Sequence, residues 1–373
     1  MKLLMTADAV GGVWTYAVQM AQSLAPHDVE VVIATMGPRP SENQRAQVAA
    51  IRGASLCESE FKLEWMSEPW DEVQKAGDWL LELERSFRPD IVHLNGYAHG
   101  ALPWKAPVLV VAHSCVLSWW QAVKGEAASA GQWGIYRERA TSGLHAADYV
   151  VAPSPFMRRE VRRLYGRSSN VCVIPNGTDP CLFQSTGKKE AFVVSAGRLW
   201  DEAKNIGALD RIADYVHWPI CVAGNATAPD GTSEVSHTRI CRSLGQLEPR
   251  TFAEFLGRAA IFCLPALYEP FGLSALEAAL SGCALVLGDI PSLRQTWEGA
   301  AVFVDPRDDR ALAAALNRLI HNPRERAELA QRGYERAQSF TAERMAAKYF
   351  DIYHAMIEAR QQSEEARASA CAS

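Results

Sequence analysis

Two glutamates with seven residues between them stand where an apolar segment gives way to a helical pattern. Glu269 lies in the loop after Ile261–Pro265, and Glu277 lies one turn into the following helix. Ligands of open α/β sheets bind just beyond the carboxyl ends of the strands, which is where this loop falls. A carboxylate at Glu269 can accept hydrogen bonds from sugar hydroxyls, and the two oxygens of Glu277 can hold the two hydroxyls of a ribose.

The loop between the two glutamates has the chemistry of an anion site. Its backbone N–H groups are predicted to face a phosphate or sugar, aided by the helix dipole, at Phe271, Gly272 and Leu273. A structural interpretation is equally open here. Ser274-x-x-Glu277 also fits a capping box, in which the glutamate serves only the start of the helix. Glu269 also fits an ordinary solvated loop charge.

Two cations follow the predicted strand Ala191–Ala196. Arg198 and Lys204 lie at its exit, where paired cations can neutralise the negative charge that develops on a diphosphate leaving group. The alternative is that both are solvated and have Asp201 and Glu202 as local partners.

The first half of the chain offers glycines and histidines at strand ends. Gly11 and Gly12 follow the first predicted strand, where they either let backbone amides approach a phosphate or form a tight turn. His113 and His93 end two neighbouring strands, and a structural role remains open for both. No Asp-x-Asp or carboxylate cluster accompanies them, so no metal site is predicted.

Eight of the eleven tryptophans lie in the first half of the chain. Aromatic faces suit sugar rings, although most tryptophans in a domain are core residues. We therefore expect one or two to contact an acceptor, and the candidates are Trp14 beside the glycine pair and Trp119 shortly after His113.

The segment Tyr268–Ala278 resembles the motif of the retaining glycosyltransferases of family 4. The resemblance extends over nearly the whole chain, and its further motifs are Gly11-Gly12, His113, Val173–Asp179, Gly197-Arg198-Leu199, Lys204 and Gly245-Gln246-Leu247. It implies two Rossmann-like domains facing across a cleft, the GT-B fold, with the last helix crossing back onto the first domain. It also implies metal-independent transfer of a hexose-type sugar from a nucleotide-diphosphate sugar, with a UDP- or GDP-sugar favoured, to an unidentified acceptor. No other cofactor is expected.

The resemblance also implies a role for each candidate residue. Glu269 and His113 would contact the donor sugar, Glu277 the ribose, and Arg198 with Lys204 the pyrophosphate. The glycine pair would contact the phosphate region, Gly224 and Leu247 the base, and His93 the acceptor side or its packing. Asn205 departs from the family, whose members often carry glycine after the lysine, so a differently shaped loop is expected.

Short β-rich runs alternate with helical patterns nearly throughout, which indicates doubly wound α/β layers. Eleven predicted strands exceed one comfortable sheet, so we predict two. The predicted boundaries give an acceptor-side domain at 1–183, a nucleotide-sugar domain at 184–341, a crossover helix at 342–360 and a frayed tail at 361–373.

Composition restricts the partners and the compartment. The net charge of −5 gives no bulk attraction to nucleic acid or anionic membrane. The nine cysteines include no Cys-x-x-Cys pair, as expected in a reducing compartment. The apolar start is too short for a signal peptide, and no span reaches ~20 apolar residues, so a cytoplasmic protein is expected. The expected oligomeric state is a monomer or homodimer. The basic face of Ser154–Arg167 is predicted to be solvated, with contact to anionic lipid as the less favoured alternative.

The same two-domain fold is compatible with other functions. A nucleotide-sugar epimerase or a sugar phosphorylase is the enzymatic alternative, and an inactive sugar-binding paralogue is the non-enzymatic one. A dehydrogenase is disfavoured because Gly-x-Gly-x-x-Gly is absent.

Overall fold

The computed structural model describes residues 1–166, 171–185, 187–229, 231 and 241–371, which form two parallel sheets flanked by helices. The first sheet has the order β3-β2-β1-β4-β5-β6-β7. Its strands are β1 (Lys2–Asp8), β2 (Glu30–Met36), β3 (Ala54–Glu58), β4 (Ile91–Leu94), β5 (Val108–Val111), β6 (Tyr149–Ala152) and β7 (Val171–Val173). The second sheet has the order β10-β9-β8-β11-β12-β13. Its strands are β8 (Glu190–Ala196), β9 (Ile220–Ala223), β10 (Arg242–Gly245), β11 (Ala259–Leu264), β12 (Ala284–Gly288) and β13 (Ala301–Val304).

Most of the strands are connected by helices, and neighbouring strands in each sheet run parallel. In the first half they are α1 (Gly12–Leu24), α2 (Glu42–Ala49), α3 (Trp70–Phe87), α4 (Val116–Lys124), α5 (Ala130–Ala146) and α6 (Pro155–Tyr165). In the second half they are α7 (Ile206–Ile212), α8 (Pro249–Arg258), α9 (Leu273–Leu280), α10 (Pro291–Trp297), α11 (Asp309–His321), α12 (Pro323–Ala337) and α13 (Ala342–Cys371). The predicted fold class of two Rossmann-like sheets is confirmed.

The continuous apolar runs become strands that are buried on both faces. In β1, Leu4 packs into the core layer on one face, while Leu3 and Met5 pack into the layer on the other. All three side chains are fully buried. The second sheet repeats this arrangement, with Val194 and Val193 on opposite faces of β8. Because every central strand is covered on both sides, these runs lack polar alternation.

Two edge strands, β3 and β10, escaped prediction because most of their residues are at least partly exposed. Strand β3 is half-buried and β10 is mostly exposed, so neither has an apolar run. An edge strand needs fewer apolar residues because one side and part of a face meet water.

The last helix crosses back onto the first domain, as the resemblance implied. Tyr349 and Tyr353 of α13 are fully buried in the core layer beneath β1. The crossing begins where Ala342 N donates to Thr178 O at 3.1 Å. Gly177 is needed at this junction, since a Cβ there would lie 2.2 Å from Thr341 O.

The crossover helix is longer than predicted, and fraying of the tail stays a prediction. Helix α13 continues to Cys371, well beyond residue 360. Helix-forming residues and an ion pair one turn apart, Arg360 Nε to Glu364 Oε1 at 2.6 Å, favour this extension. Residues 372 and 373 lie outside the described part of the chain. The division at 183/184 stays a prediction.

Among the described helices, none is long and apolar enough to cross a bilayer. The cytoplasmic location and the oligomeric state stay predictions.

Candidate active site

A cavity of about 710 Å³ lies between the carboxyl ends of the strands of the two sheets. It gathers thirteen of the fifteen candidate residues from positions far apart in the chain. They are Gly11, Gly12, His113, Trp119, Arg198, Lys204, Gly224, Leu247, Glu269, Phe271, Gly272, Leu273 and Glu277. Trp14 and His93 do not line it.

The two cations of the cleft are paired with carboxylates. Arg198 Nη2 donates to Asp201 Oδ2 at 2.7 Å, so one of the local partners considered from sequence is present. Lys204 instead pairs with Glu269, and Glu202 pairs with Lys124 on the other domain. The Lys204–Glu269 pair therefore joins two of the candidate residues across the floor of the cleft.

Buried carboxylates surround Arg198. Burial opposes ionisation of Asp201, but Arg198 and Lys204 outweigh it and hold the pKa of Asp201 below its usual value. Asp201 Oδ1 also accepts from Trp119 Nε1 at 3.0 Å. Burial raises the pKa of Asp8 to about 6 despite the opposing charge of Arg198. Asp8 was not identified from sequence, although its position at the end of β1 was a signal for it.

Backbone geometry places Glu269 at the cleft. Gly272 adopts φ 94°, a left-handed conformation that favours glycine, and starts α9. The Glu269 carbonyl accepts a hydrogen bond from the Ser292 hydroxyl. The carboxylate is therefore held in place from both its backbone and its side chain.

The capping-box interpretation of Glu277 is wrong. Helix α9 has Gly272 as its N-cap, so Ser274 lies inside the helix and makes no capping hydrogen bond. Its hydroxyl instead approaches Ala196 O at 3.5 Å. Glu277 is 9% exposed and lines the cleft. Burial raises its pKa from 4.5 to about 8.

We expect the affinity for a nucleotide sugar to increase with pH through the titration of Glu277. Only the ionised carboxylate can accept from both ribose hydroxyls, and its pKa of about 8 leaves it mostly protonated at neutral pH. Calorimetric titration should give a Kd about ten-fold lower near pH 9 than near pH 7. Asp8 is mostly ionised at both values, since its pKa is about 6. Glu277→Gln should bind weakly and without this pH dependence; an unchanged pH dependence in that variant would contradict the assignment.

Two glycine loops of the second domain meet without side chains between them. Gly224 has φ 145°, and a Cβ there would lie 1.7 Å from Gly197 O. Gly224 N also donates to Gly245 O at 2.8 Å. This close contact holds the loop before Arg198 against the end of β9.

Gly224→Ala should force these loops apart and weaken nucleotide binding at least ten-fold, with a lower melting temperature. Gly125→Ala is the matched control, because Gly125 also has a positive φ, 77°, but open space around it. The control should lose only about 1–2 kcal/mol of stability and keep its affinity. Equal effects of the two substitutions on binding would contradict this account.

The side chain of Asn205 supports the backbone of its own loop. It adopts φ 53°, the left-handed conformation that glycine takes readily. Its Nδ2 donates to Pro265 O at 3.0 Å and to Pro306 O at 2.7 Å. These hydrogen bonds offset the cost of the left-handed backbone, so the expected change of loop shape is not required.

The two residues outside the cleft have structural contacts. Trp14 is 5% exposed, and its Nε1 donates to Gln47 Oε1 at 2.9 Å in the interior. His93 is fully buried, and its Nδ1 lies 2.6 Å from the Tyr353 hydroxyl of α13. Neither side chain can contact an acceptor in this arrangement. The acceptor contact predicted for Trp14 is therefore wrong, and of the two roles predicted for His93 the packing role remains. The direction in which these two side chains point depends on tertiary packing, which the sequence does not show.

Contacts between the domains close one side of the cleft. The Tyr268 hydroxyl lies 2.8 Å from Ser118 Oγ and accepts from Cys115 N at 3.3 Å. A second contact between the domains is the stacking of Trp65 on Trp200, with ring centroids 6.2 Å apart. Trp200 lines the cavity and was not predicted, although it is two residues from Arg198.

Family models cover nearly the whole chain. Residues 10–181 match Glycosyltransferase Family 4, and residues 183–336 match Glycosyl transferases group 1. This chain belongs to the family 4 glycosyltransferases. It is therefore a GT-B glycosyltransferase, and the predicted enzyme class is confirmed at that level.

A curated relative is similar to this chain in sequence, and solved structures share its fold. The glycogen synthase of Mycobacterium tuberculosis is 26% identical over 353 residues, which cover 84% of this chain and 83% of that protein. Sucrose-phosphate synthase from Thermosynechococcus elongatus has a TM-score of 0.80 at 19% identity, covering 96% of this chain and all of that one. Anabaena HepE in complex with UDP and glucose has a TM-score of 0.73 at 14% identity, covering 95% and 100%.

Within the described residues of this glycosyltransferase, no three His, Cys, Asp or Glu side chains are grouped to hold a metal ion.

Proposed function

We propose that this glycosyltransferase moves a hexose-type sugar from a UDP- or GDP-sugar to a glycan, a lipid-linked sugar or a small molecule, with retention of configuration and without a metal ion. The observation that carries the proposal is the meeting of Arg198, Lys204, Glu269 and Glu277 in one cleft. The UDP and glucose bound by Anabaena HepE support a UDP-sugar as the first donor to test.

Arg198 and Lys204 would bind the diphosphate. Arg198 Nε is buried and has no partner among the described residues, so this guanidinium retains hydrogen-bonding capacity beyond its link to Asp201. Lys204 has two ammonium hydrogens beyond the one directed at Glu269. Two cations in a partly water-excluded cleft stabilise a departing diphosphate without help from a metal.

Glu269 and His113 would hold the sugar, and Glu277 the ribose. Glu277 lies on the first turns of α9, while Glu269 precedes that helix, so one short segment would contact both ends of the donor. Backbone N–H groups near Gly272 would face the phosphates, and Gly11 with Gly12 would approach from the other domain. Gly224 and Leu247 line the part of the cleft proposed for the base.

The transfer proceeds on one face of the sugar. The bond from the anomeric carbon to the diphosphate oxygen breaks, and the acceptor oxygen forms a bond to the same carbon from the same side. The departing phosphate oxygen takes the proton of the acceptor hydroxyl, so the products are the glycoside and a protonated nucleoside diphosphate. The protein orients the reactants and stabilises charge; Glu269 is engaged by Lys204 and does not serve as a nucleophile.

Incubation with UDP-, GDP-, ADP- and dTDP-sugars tests this proposal. Without acceptor, one donor should be hydrolysed slowly; with an acceptor mixture, NMR should show a product with the donor's anomeric configuration. Arg198→Ala and Glu277→Ala should both slow the reaction at least ten-fold. An inverted product would contradict retention, and rapid interconversion of the sugar without acceptor would favour an epimerase.

A further inference from the structure

A buried hydrogen-bonded network lies directly behind His113. His113 Nε2 lies 2.8 Å from Asn95 Oδ1, and His93 Nε2 lies 3.3 Å from the same oxygen. The other nitrogen of His93 lies 2.6 Å from the Tyr353 hydroxyl. The network therefore runs from the wall of the cleft to the crossover helix, with Asn95 at its centre.

The orientation of the Asn95 amide is fixed by its other neighbour. Asn95 Nδ2 lies 2.6 Å from Thr6 O, a carbonyl that can only accept. The Asn95 backbone N–H also donates to Thr6 Oγ1 at 2.9 Å. A flipped amide would place two acceptors face to face at this distance, so the amide oxygen must point at the histidines.

This orientation determines where His113 carries its proton. An amide oxygen can only accept, so Nε2 of His113 must carry hydrogen. Burial lowers the pKa of His113 to about 3, so the ring is neutral and Nδ1 keeps its lone pair. Nδ1 has no hydrogen-bond partner among the described residues, and His113 as a whole is half-buried. Because His113 lines the cleft, this lone pair is available to a ligand there.

We propose that Asn95 is a positioning residue that locks His113 in the Nε2-protonated form, so that Nδ1 accepts a hydrogen bond from a hydroxyl of the donor sugar. The inference rests on the proposed function for its substrate. It adds a requirement for the donor sugar: the group that faces His113 must be a hydroxyl that donates a hydrogen bond. A carboxylate there would be repelled by the lone pair of Nδ1.

The surroundings keep the network uncharged. Burial lowers the pKa of His93 to about 3, and burial raises the pKa of Tyr16, Tyr349 and Tyr353 well above the ordinary value. These are the titratable side chains packed around the two imidazoles from α1 and α13. His113 therefore keeps one protonation state across the working pH range of an enzyme.

The tautomer can be observed directly in the wild-type protein. Long-range ¹H–¹⁵N correlation spectra of histidine-labelled protein distinguish the two neutral tautomers, and His113→Gln assigns the signal by removing it. The proposal requires a neutral ring with hydrogen on Nε2. A ring with hydrogen on Nδ1, or a charged ring near pH 7, overturns it. This readout needs neither donor nor turnover, so it is independent of the proposed function.

Two substitutions then connect the tautomer to the sugar. Asn95→Leu should raise the donor KM about ten-fold by releasing the ring, while the Kd of the free nucleoside diphosphate stays unchanged. Asn95→Asp should raise the pKa of His113 toward neutrality, because a carboxylate stabilises the imidazolium. Below that pKa, Nδ1 carries hydrogen and the sugar hydroxyl must reverse its hydrogen bond, so the donor KM should change with pH, whereas the wild-type KM should not respond to this group.

Asn317→Leu is the control, since Asn317 is a half-buried asparagine outside the cleft whose side chain also donates to a backbone carbonyl, Tyr215 O. It should leave both constants unchanged. Equal donor KM values for the wild type and both Asn95 variants would overturn the proposal. If the variants fail to fold, the wild-type spectrum still decides it. If no nucleotide binds to the wild type at all, it is the proposed function that fails.

Discussion

Replacing Arg198 with alanine should lower kcat/KM for the donor about 10³-fold, the scale of a lost charge-stabilising group. Its guanidinium lies beside Asp201 and the glycine pair, where a Cβ on Gly11 would be 3.4 Å from Nη1. Among the described residues, Arg39 is the one other arginine that lines this cleft, and it is exposed and pairs with Glu60. Steady-state kinetics with the preferred nucleotide sugar measure the effect.

Arg198→Lys and Arg211→Ala are the controls for this prediction. The lysine variant keeps a charge but loses the bidentate fork, so it should recover part of the activity. Arg211 forms an exposed ion pair with Asp309 on the outside of the same domain, and its loss should change kcat/KM less than two-fold. A near-normal rate for Arg198→Ala, in protein of unchanged melting temperature, would remove Arg198 from the proposed site.

Glu269→Gln should lower kcat about 10²- to 10³-fold without weakening the binding of the free nucleoside diphosphate. The amide keeps the shape of the side chain but loses the charge that pairs with Lys204. Lys204 is then released toward the diphosphate, so the Kd of the free nucleotide should stay the same or fall. Transfer kinetics and calorimetric titration together separate the two effects.

Glu190→Gln is the matched control for that experiment. Glu190 forms an exposed pair with Arg258 on the second domain, at 2.7 Å, and lies outside the cleft. It should leave both kcat and nucleotide affinity unchanged. Loss of nucleotide affinity in Glu269→Gln, with sugar transfer intact, would mean that Glu269 serves the phosphates and not the sugar.

The fold was predictable because parallel strands that are buried on both faces have continuous apolar sequences, as in Leu3–Met5. The edge strands β3 and β10 were not, because partial exposure removes that pattern. The role of Glu277 in the helix also depended on the backbone. Ser274 fits a capping box by spacing alone, and only the left-handed Gly272 shows that the helix starts two residues earlier.

The pairing of charges in the site was only half predictable. Asp201 is three residues from Arg198 and was considered as its partner, whereas Lys204 pairs with a glutamate 65 residues away. Asn95 is not part of a motif that the sequence reveals. Its importance depends on the pairing of β4 with β1 and β5. Long-range contacts of this kind follow from strand order, which the sequence analysis did not specify.

The central claim is that this cleft binds a nucleotide-diphosphate sugar through Arg198 and Glu277. Calorimetric titration of the wild type, Arg198→Ala and Glu277→Ala with UDP, GDP, ADP and dTDP tests it most directly. The account predicts that one nucleotide binds the wild type with micromolar affinity and that both substitutions weaken it at least ten-fold. If no nucleotide binds the wild type, or if both variants bind as tightly as it does, the account is contradicted.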